Sequence, residues 1–404
     1  MGFTFSLKDN PRSSYFALVV LGIVFLIFPF IAQQFGNSWV RIMDLALLYI
    51  MLAIGLNIVV GFAGLLDLGY IAFYAVGAYT AALLASPQFA VVLESLAFEY
   101  PAFGNALIAF FGPEIAQHGI HLPVWVLVPL AALLAAICGM ILGFPVLKLR
   151  GDYLAIVTLG FGEIIRIFMN NLNGPVNITN GPQGISMIEP VRLFGVSLAG
   201  EPGSNATVQL GSFAMPSVNA YYFLFLALTV LSIVVAVRLQ HSRLGRAWIA
   251  IREDEIAAKA MGINTRNVKL LAFALGATFG GVAGAMFASF QGFVSPESFS
   301  IMESIAVVAM VVLGGMGHIP GVVLGALILA ALPEVLRHTV EPIQMAVFGN
   351  ILIEAEVMRQ LLYGLALVLI MLFRPSGIWP APRHEDRPEA SGDRLEKPTG
   401  VVEA

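Results

Sequence analysis

Long apolar runs alternate with short polar segments along most of the chain. The runs cover residues 15–33, 42–60, 64–85, 123–146, 152–172, 221–237, 270–290 and 360–373, and a broken apolar stretch covers 301–337. A run of about 20 apolar residues has the length that an α-helix needs to cross a bilayer. Because a spanning segment must pair its own backbone groups, such repeated runs predict helices. We therefore expect an all-α polytopic membrane protein with about ten transmembrane helices.

The stretch 301–337 is interrupted by glycines at 314–321, and each half is short for a span. We interpret it as two spans that meet at a tight cytoplasmic turn, with a partly re-entrant element as the alternative. Residues 338–358 read as an external amphipathic connection.

The distribution of Lys and Arg predicts which segments face the cytoplasm. Basic residues concentrate in 1–14 and 238–269, whereas 86–122 has none and 173–220 has only Arg192. Loops rich in Lys and Arg stay inside. This predicts a cytoplasmic N-terminus (1–14), a transmembrane domain (15–374) with external loops 86–122 and 173–220, and a cytoplasmic tail (375–404). The tail mixes charges with Pro and Gly, which is typical of disorder.

Composition supports the membrane class and argues against an enzyme. The chain is 58% hydrophobic and only 11% charged, about half the charged fraction of a soluble domain. Cys138 is the only cysteine, the histidines are scattered, and there is no G-x-x-x-x-G-K-[ST] nucleotide-binding loop. We expect no catalytic residues, no bound metal or cofactor, and no nucleic-acid partner.

The charged loop 238–269 contains a predicted short helix. Glu253, Asp254 and Glu255 would lie at its positive end and Lys259 near its negative end, while Gly262 is a natural stop. Glu255 and Lys259 form an i,i+4 pair in the favourable order. Small alanines with apolar Ile256 and Met261 would fit another protein's groove. The alternative is a solvated loop that only sets topology.

Two glycine-rich segments, 61–69 and 314–321, lie near the starts of apolar spans. Broken segments at corresponding places in two halves point to a transport path, and we expect a weak repeat of 42–172 in 221–337. The alternative is close helix packing, which small residues allow in lipid. The candidate path residues in these segments are Gly61, Gly64, Asp67, Gly69, Gly314, Gly315 and Gly317.

Glu163 and Arg166 are charged residues inside an apolar run. They are three apart, so they share a helix face and can neutralise each other. A charge within the membrane is a functional candidate, which adds both to the candidate path. The alternative is a structural ion pair that fixes this helix against its neighbours. Asp67 would lie near the inner surface, capping a turn.

Six segments in order carry a resemblance to a known family: residues 55–79, 143–167, 180–186, 245–263, 291–299 and 311–321. Together they resemble the membrane permease subunits of branched-chain amino acid ABC importers, most closely the LivM type, from about residue 40 to 380. Ala257-Ala258-x-x-x-Gly262 is similar to the EAA coupling motif of import permeases, with Glu255 one place out of its usual position. The residues that would couple this chain to an ATPase are Arg246, Arg252, Glu253, Asp254, Glu255, Ala257, Ala258 and Gly262.

The resemblance implies a multi-pass subunit of the bacterial inner membrane with several partners. These are a second, LivH-type permease, two cytoplasmic ATP-binding subunits that would hold ATP–Mg, and a periplasmic amino-acid-binding protein. The implied activity is translocation of leucine, isoleucine or valine by alternating access. Urea, short amides or other amino acids are alternative substrates in the same family. A carrier that uses Asp67 or Glu163 as an ion site is the alternative from another class.

Overall fold

The computed structural model describes residues 22, 25–34, 36–147, 149, 151–193, 196–199, 207–210, 213–348, 350, 354–374 and 376–379. The predictions for the N-terminal segment 1–14, and for the tail beyond residue 379, lie outside the described residues.

The described chain is helical for most of its length, and the all-α polytopic fold is confirmed. The helices are α1 (Phe25–Gln34), α2 (Asn37–Asn57), α3 (Ile71–Leu84), α4 (Gln88–Glu99), α5 (Pro101–Phe111), α6 (Pro113–His118), α7 (Val124–Val146), α8 (Asp152–Asn171), α9 (Ser217–Gln240), α10 (Arg243–Glu253), α11 (Glu255–Ala260), α12 (Thr265–Gln291), α13 (Ile301–Gly314), α14 (Ile319–Phe348) and α15 (Ala355–Phe373). A π-helical turn, Ile58–Phe62, extends α2.

Three short antiparallel β-pairs join segments between the helices. Strand β1 (Ile185–Ser186) pairs with β6 (Phe293–Val294), β2 (Arg192–Leu193) with β3 (Val196–Ser197), and β4 (Thr207–Leu210) with β5 (Phe213–Pro216). The pairing of β1 with β6 ties the segment after α8 to the segment after α12.

Six helices among the described residues are long and apolar enough to cross a membrane, or seven if the bent pair α3–α4 is one span. Helices α1, α5 and α15 contain shorter apolar stretches. Helix α8 is 20 residues long, carries three charged residues and falls outside that count. The predicted number of ten is therefore not confirmed.

The centre of the bundle is built on α12, which packs closely against α3 and α7. Small residues allow this approach: a Cβ on Gly77 would lie 2.2 Å from the Gly281 backbone oxygen, and one on Gly284 would lie 2.1 Å from the Tyr74 oxygen. Without a hydrophobic force between helices in lipid, such close packing supplies much of the attraction. Here the glycines serve packing.

Four predicted boundaries change. The third span begins with a non-helical segment, and α3 starts only at Ile71. The loop 86–122 is largely helical, with α4 bent 80° from α3. The first part of the predicted connection 338–358 is helical, because α14 continues to Phe348 despite its internal prolines. The chain also stays packed beyond residue 374, as described below.

The stretch 301–337 forms two helices, α13 and α14, joined by a turn at residues 315–318. The positive φ angles of Gly315 and Gly317, +114° and +86°, close this turn in a conformation that favours glycine. Two apolar helices and a tight turn are found as expected; the cytoplasmic position of the turn stays a prediction.

Candidate functional site

The two glycine-rich segments meet in space. The Gly317 N–H donates to the Asn57 side-chain oxygen at 2.8 Å. A Cβ on Gly61 would lie 2.0 Å from that oxygen and 2.6 Å from the Gly317 nitrogen. Sequence analysis placed these segments at comparable positions, and the fold brings their backbones into contact.

Arg252, near the C-terminal end of α10, joins the same place. Its Nη1 donates to the Gly61 oxygen at 2.6 Å. Gly64, with φ +67°, passes so close that an added Cβ would lie 2.9 Å from Arg252 Cγ. We call Asn57, Gly61, Gly64, Arg252 and Gly317 the glycine junction. It connects the charged loop directly to the broken ends of α2 and α13.

Helix α10 is held firmly in the bundle. The buried Trp248 donates its indole N–H to the Val268 oxygen at 2.8 Å, which ties α10 to α12. The Ser242 side chain caps the helix by accepting from Gly245 N at 3.1 Å. Any displacement of α10 must therefore involve α12 or the glycine junction.

Helix α11 follows after a sharp break at Asp254. The Asp254 carboxylate accepts from Ile256 N and Ala257 N at 2.7 and 3.0 Å and so caps the helix N-terminus. Gly262, with φ +84°, ends it. The predicted start and stop are both found, although Glu253 belongs to the preceding helix.

The two faces of α11 differ. Ala258 is 4% exposed, and Glu255 forms an ion pair with Lys269 of α12 at 2.8 Å. Ile256 and Met261 are 74% and 84% exposed. Side chains on one face thus fix α11 to this chain, while two large apolar side chains on the other face have no apolar cover within the described chain.

The segment after α15 closes the turn at the end of α13. Ile378 N donates to Leu313 O at 2.9 Å, and Trp379 N donates to Gly314 O at 3.2 Å. These acceptors are helix C-terminal carbonyls that would otherwise lack partners. His318 donates from Nδ1 to the Trp379 oxygen at 3.0 Å, and burial lowers the pKa of its imidazole. A Cβ on Gly315 would collide with this segment.

Asp67 and Gly69 lie beside the glycine junction, against α8. One Asp67 carboxylate oxygen accepts from Gly69 N at 2.9 Å, and the other is buried with no hydrogen-bond partner among the described residues. The adjacent Leu68 N donates to Thr158 Oγ1 at 3.0 Å. A Cβ on Gly69 would lie 1.9 Å from the backbone oxygen of Thr158. Asp67 thus caps a turn, as predicted.

Glu163 and Arg166 pair as their spacing predicts, with Arg166 Nε 3.0 Å from a Glu163 oxygen. Arg166 also reaches Glu297, with Nη1 3.1 Å from the carboxylate. This second contact joins α8 to the segment before α13. No hydrogen bond among the described residues joins this pair to α11. The contacts favour a structural ion pair that fixes α8 against its neighbours.

The predicted coupling residue Arg246 bonds within the charged loop, because its Nη1 donates to the His241 oxygen at 3.0 Å. The described residues contain no group of three or more His, Cys, Asp or Glu side chains that could hold a metal ion.

Sequence analysis missed a second polar cluster in the bundle. Tyr49 donates to Glu303 at 2.7 Å, and Arg359 lies 3.5 Å from the same carboxylate.

Asp44 is a separate buried carboxylate on α2, and neither of its oxygens has a hydrogen-bond partner in the described part of the chain. The available signal was the one used for Glu163: an ionisable residue inside or beside an apolar run.

Comparison with known proteins agrees with this architecture. Residues 38–371 match the family described as branched-chain amino acid transport system / permease component. Over 372 residues the chain is 41% identical to the high-affinity branched-chain amino acid transport system permease protein LivM of Escherichia coli (strain K12), covering 91% of this chain and 75% of that protein. It is 25% identical to LivH of Salmonella typhimurium (strain LT2), covering 89% of this chain and 98% of that protein. No solved structure matches the chain.

The apolar helices indicate a multi-pass membrane protein, and the family match places it in the permease class. The chain belongs to the family of branched-chain amino acid transport permease components, and its similarity to LivM extends over nearly its whole length. The resemblance found in the sequence is confirmed.

Proposed function

We propose that this chain is one of two membrane subunits of an ATP-driven importer and translocates leucine, isoleucine or valine by alternating access. The observation that carries the proposal is the Arg252–Gly61 hydrogen bond. It connects the helix just before α11 to the place where the broken segments of two spans touch. A rigid displacement of α10 and α11 would therefore act directly on the glycine junction.

Helix α11 supplies the surface on which an ATPase would dock. Two exposed apolar side chains beside small alanines fit a groove on a partner, and Asp254 and Gly262 fix the helix length. The docking residues would be Ile256, Ala257 and Met261. Ala258 and Glu255, which face this chain, would hold α11 in position.

The remaining parts of the assembly follow from the family. A LivH-type permease would complete the translocation path, two ATP-binding subunits would hold ATP–Mg, and a periplasmic amino-acid-binding protein would deliver the substrate. The loop carrying α10 and α11 would face the cytoplasm with both termini, in a bacterial inner membrane. Hydrolysis of ATP would occur on the partner subunits.

Two other functions make different predictions. Urea, short amides or other amino acids would use the same assembly with another substrate. An ion-coupled carrier would need a titrating residue, for which Asp67 and Glu163 were the sequence candidates. The hydrogen bond of Asp67 within its own turn and the Glu163–Arg166 pair favour structural roles for both.

The test is co-purification from membranes in mild detergent, with identification of the bound subunits by mass spectrometry. We expect a second permease and two ATP-binding subunits, and ATP-dependent uptake of labelled leucine, but not urea, by the reconstituted complex. A chain that purifies alone and transports leucine without ATP would overturn the proposal.

A further inference from the structure

A large groove opens beside the glycine junction. It has a volume of about 770 Å³ and lies between the π-helical turn after α2, the segment before α3, and helices α13 and α15. Its walls are almost entirely apolar, and its lining includes Val60, Gly64, Val308, Leu367 and Val368. Arg252 is the only charged residue among the described residues that line it.

The positive charge of Arg252 has no acidic partner in the described chain. Its one hydrogen bond goes to a neutral backbone oxygen, that of Gly61. Of the acidic residues that follow it, Glu255 pairs with Lys269 and Asp254 caps α11, and no ion pair joins Arg252 to the exposed Glu253 among the described residues. A guanidinium presents five N–H donors in a fork that matches a carboxylate. The groove therefore combines an apolar wall with one unmatched anion-binding group.

We propose that this groove is a binding site for the amino acid on its way out of the translocation path, with Arg252 holding the α-carboxylate. The apolar side chain of leucine, isoleucine or valine would lie along Val308 and Val368. The proposal rests on the proposed import function and deepens it. It also gives Arg252 two contacts, Gly61 and the substrate, so that movement of α10 would withdraw the carboxylate partner and release the amino acid.

Charge and shape select this occupant over others. Because Arg252 is exposed, an apolar substrate without a carboxylate would cover part of its guanidinium and displace water without supplying a partner. A small polar substrate such as urea would leave the apolar wall without a partner. A hydrophobic amino acid satisfies both parts. The competing occupant is the second permease, which could cover the same face, and the experiment distinguishes the two.

The experiment measures whether leucine protects a thiol in the groove. In the complete complex, without nucleotide and with Cys138→Ser removing the native thiol, Val368→Cys places a reactive group on the groove wall. Leu369→Cys is the matched control, because Leu369 is 43% exposed and Val368 is 55% exposed, but Leu369 does not line the groove. Neighbouring residues on a helix point about 100° apart.

We expect leucine to slow maleimide labelling of the Val368→Cys thiol several-fold and to leave the Leu369→Cys thiol unchanged. Leucinamide, which lacks the carboxylate, should not protect. Arg252→Gln should raise the leucine concentration that gives half-maximal protection about tenfold or more. Arg252→Lys should raise it less. Arg243→Gln, which removes another exposed arginine from the same helix, should have no effect.

Equal labelling with and without leucine would overturn the proposal. So would a Val368→Cys thiol that is blocked in the complex regardless of leucine but reacts in the isolated chain, because the second permease would then occupy the groove. ATP-dependent uptake by the unsubstituted complex is measured in the same preparation. Its loss would count against the import function, whereas intact uptake without protection would count only against this site.

Discussion

The outward face of α11 and the glycine junction differ in how much room they leave. On α11, Ile256 and Met261 extend away from this chain, and larger or charged side chains there would meet nothing of its own. At the glycine junction, single added carbons at Gly61 or Gly64 would overlap neighbouring atoms. Arg252 is part of the junction, and only Glu253 and Asp254 separate it from the start of α11.

Because of this difference, substitutions in the two regions should have different effects. Substitutions on the α11 face should change what the chain binds without changing how it folds. Substitutions in the glycine junction should change folding first, because its atoms are already in contact. A chain that transmits motion from one place to the other needs both: a surface available to a partner, and a joint too tightly packed to absorb displacement.

The largest expected effect is loss of stability in Gly61→Ala. The new Cβ would lie 2.6 Å from the Gly317 backbone nitrogen, which cannot rotate away as a side chain can. Overpacking of this kind costs about 3 kcal/mol of unfolding free energy. Thermal unfolding of the purified protein in detergent should show a lowered midpoint.

Gly160→Ala is the matched control for that experiment, because nothing lies within 4 Å of a Cβ at this position in α8. Alanine there should stabilise the helix by up to about 1 kcal/mol. Equal midpoints for the two variants would show that the glycine junction is looser than its packing indicates.

Ile256→Asp should weaken docking of the ATP-binding subunits while leaving the fold intact. Removing an exposed apolar anchor from an interface costs about 2 kcal/mol of binding free energy when the residue is a hot spot. The variant should purify with its usual thermal midpoint but retain less of the ATP-binding subunits and show reduced ATP-dependent uptake.

Met187→Asp provides the control, since Met187 is also highly exposed but lies beyond β1, away from α11. It should retain the subunits. If Ile256→Asp assembled normally and took up leucine at the usual rate, the exposed face of α11 would not be the docking surface.

Gly64→Ala should have an intermediate effect. The positive φ of +67° costs a residue with a Cβ about 1.5 kcal/mol. Gly292→Ala changes a glycine with nearly the same φ, +69°, in the left-handed region, and has open space around it. The two variants should lose comparable stability, while Gly64→Ala alone should also slow uptake, because its Cβ displaces Arg252. Equal uptake by both variants would show that displacing Arg252 does not affect transport.

The smallest effects are expected at the Glu163–Arg166 pair. Partly exposed ion pairs contribute about 1 kcal/mol or less, so Arg166→Gln should lower the unfolding free energy only slightly. Arg337→Gln, which breaks another i,i+3 pair, on α14, is the comparison. Glu163→Gln should retain ATP-dependent uptake. Its complete loss with the fold intact would revive the ion-coupled carrier.

The parts of this architecture that depend on neighbours in sequence were predictable. Apolar runs specified the helical class, and Asp254 and Gly262 marked the limits of α11. The sequence did not show that α14 continues past Arg337, because the charged residues and Pro342 that follow usually mark the end of an apolar helix. The contact that matters most, Arg252 with Gly61, joins residues 191 positions apart, and only the fold reveals it.

The glycine segments illustrate the same limit. Their composition indicated either a path or close packing, and the structure shows close packing at Gly69 and contact between the two segments at Gly61 and Gly317. Glu303 and Arg359 were overlooked because each stands alone in its own segment. Only the approach of α13 to α15 makes them a pair.

The cap on α13 has a consequence for biosynthesis. The carbonyls of Leu313 and Gly314 receive their hydrogen bonds from Ile378 and Trp379, residues that the ribosome adds only after α14 and α15 have been made. While those helices are inserting, the end of α13 lacks these two partners. The last three helices and their cap therefore complete as one unit, and a nascent chain released before residue 378 would leave the translocon with that unit unfinished.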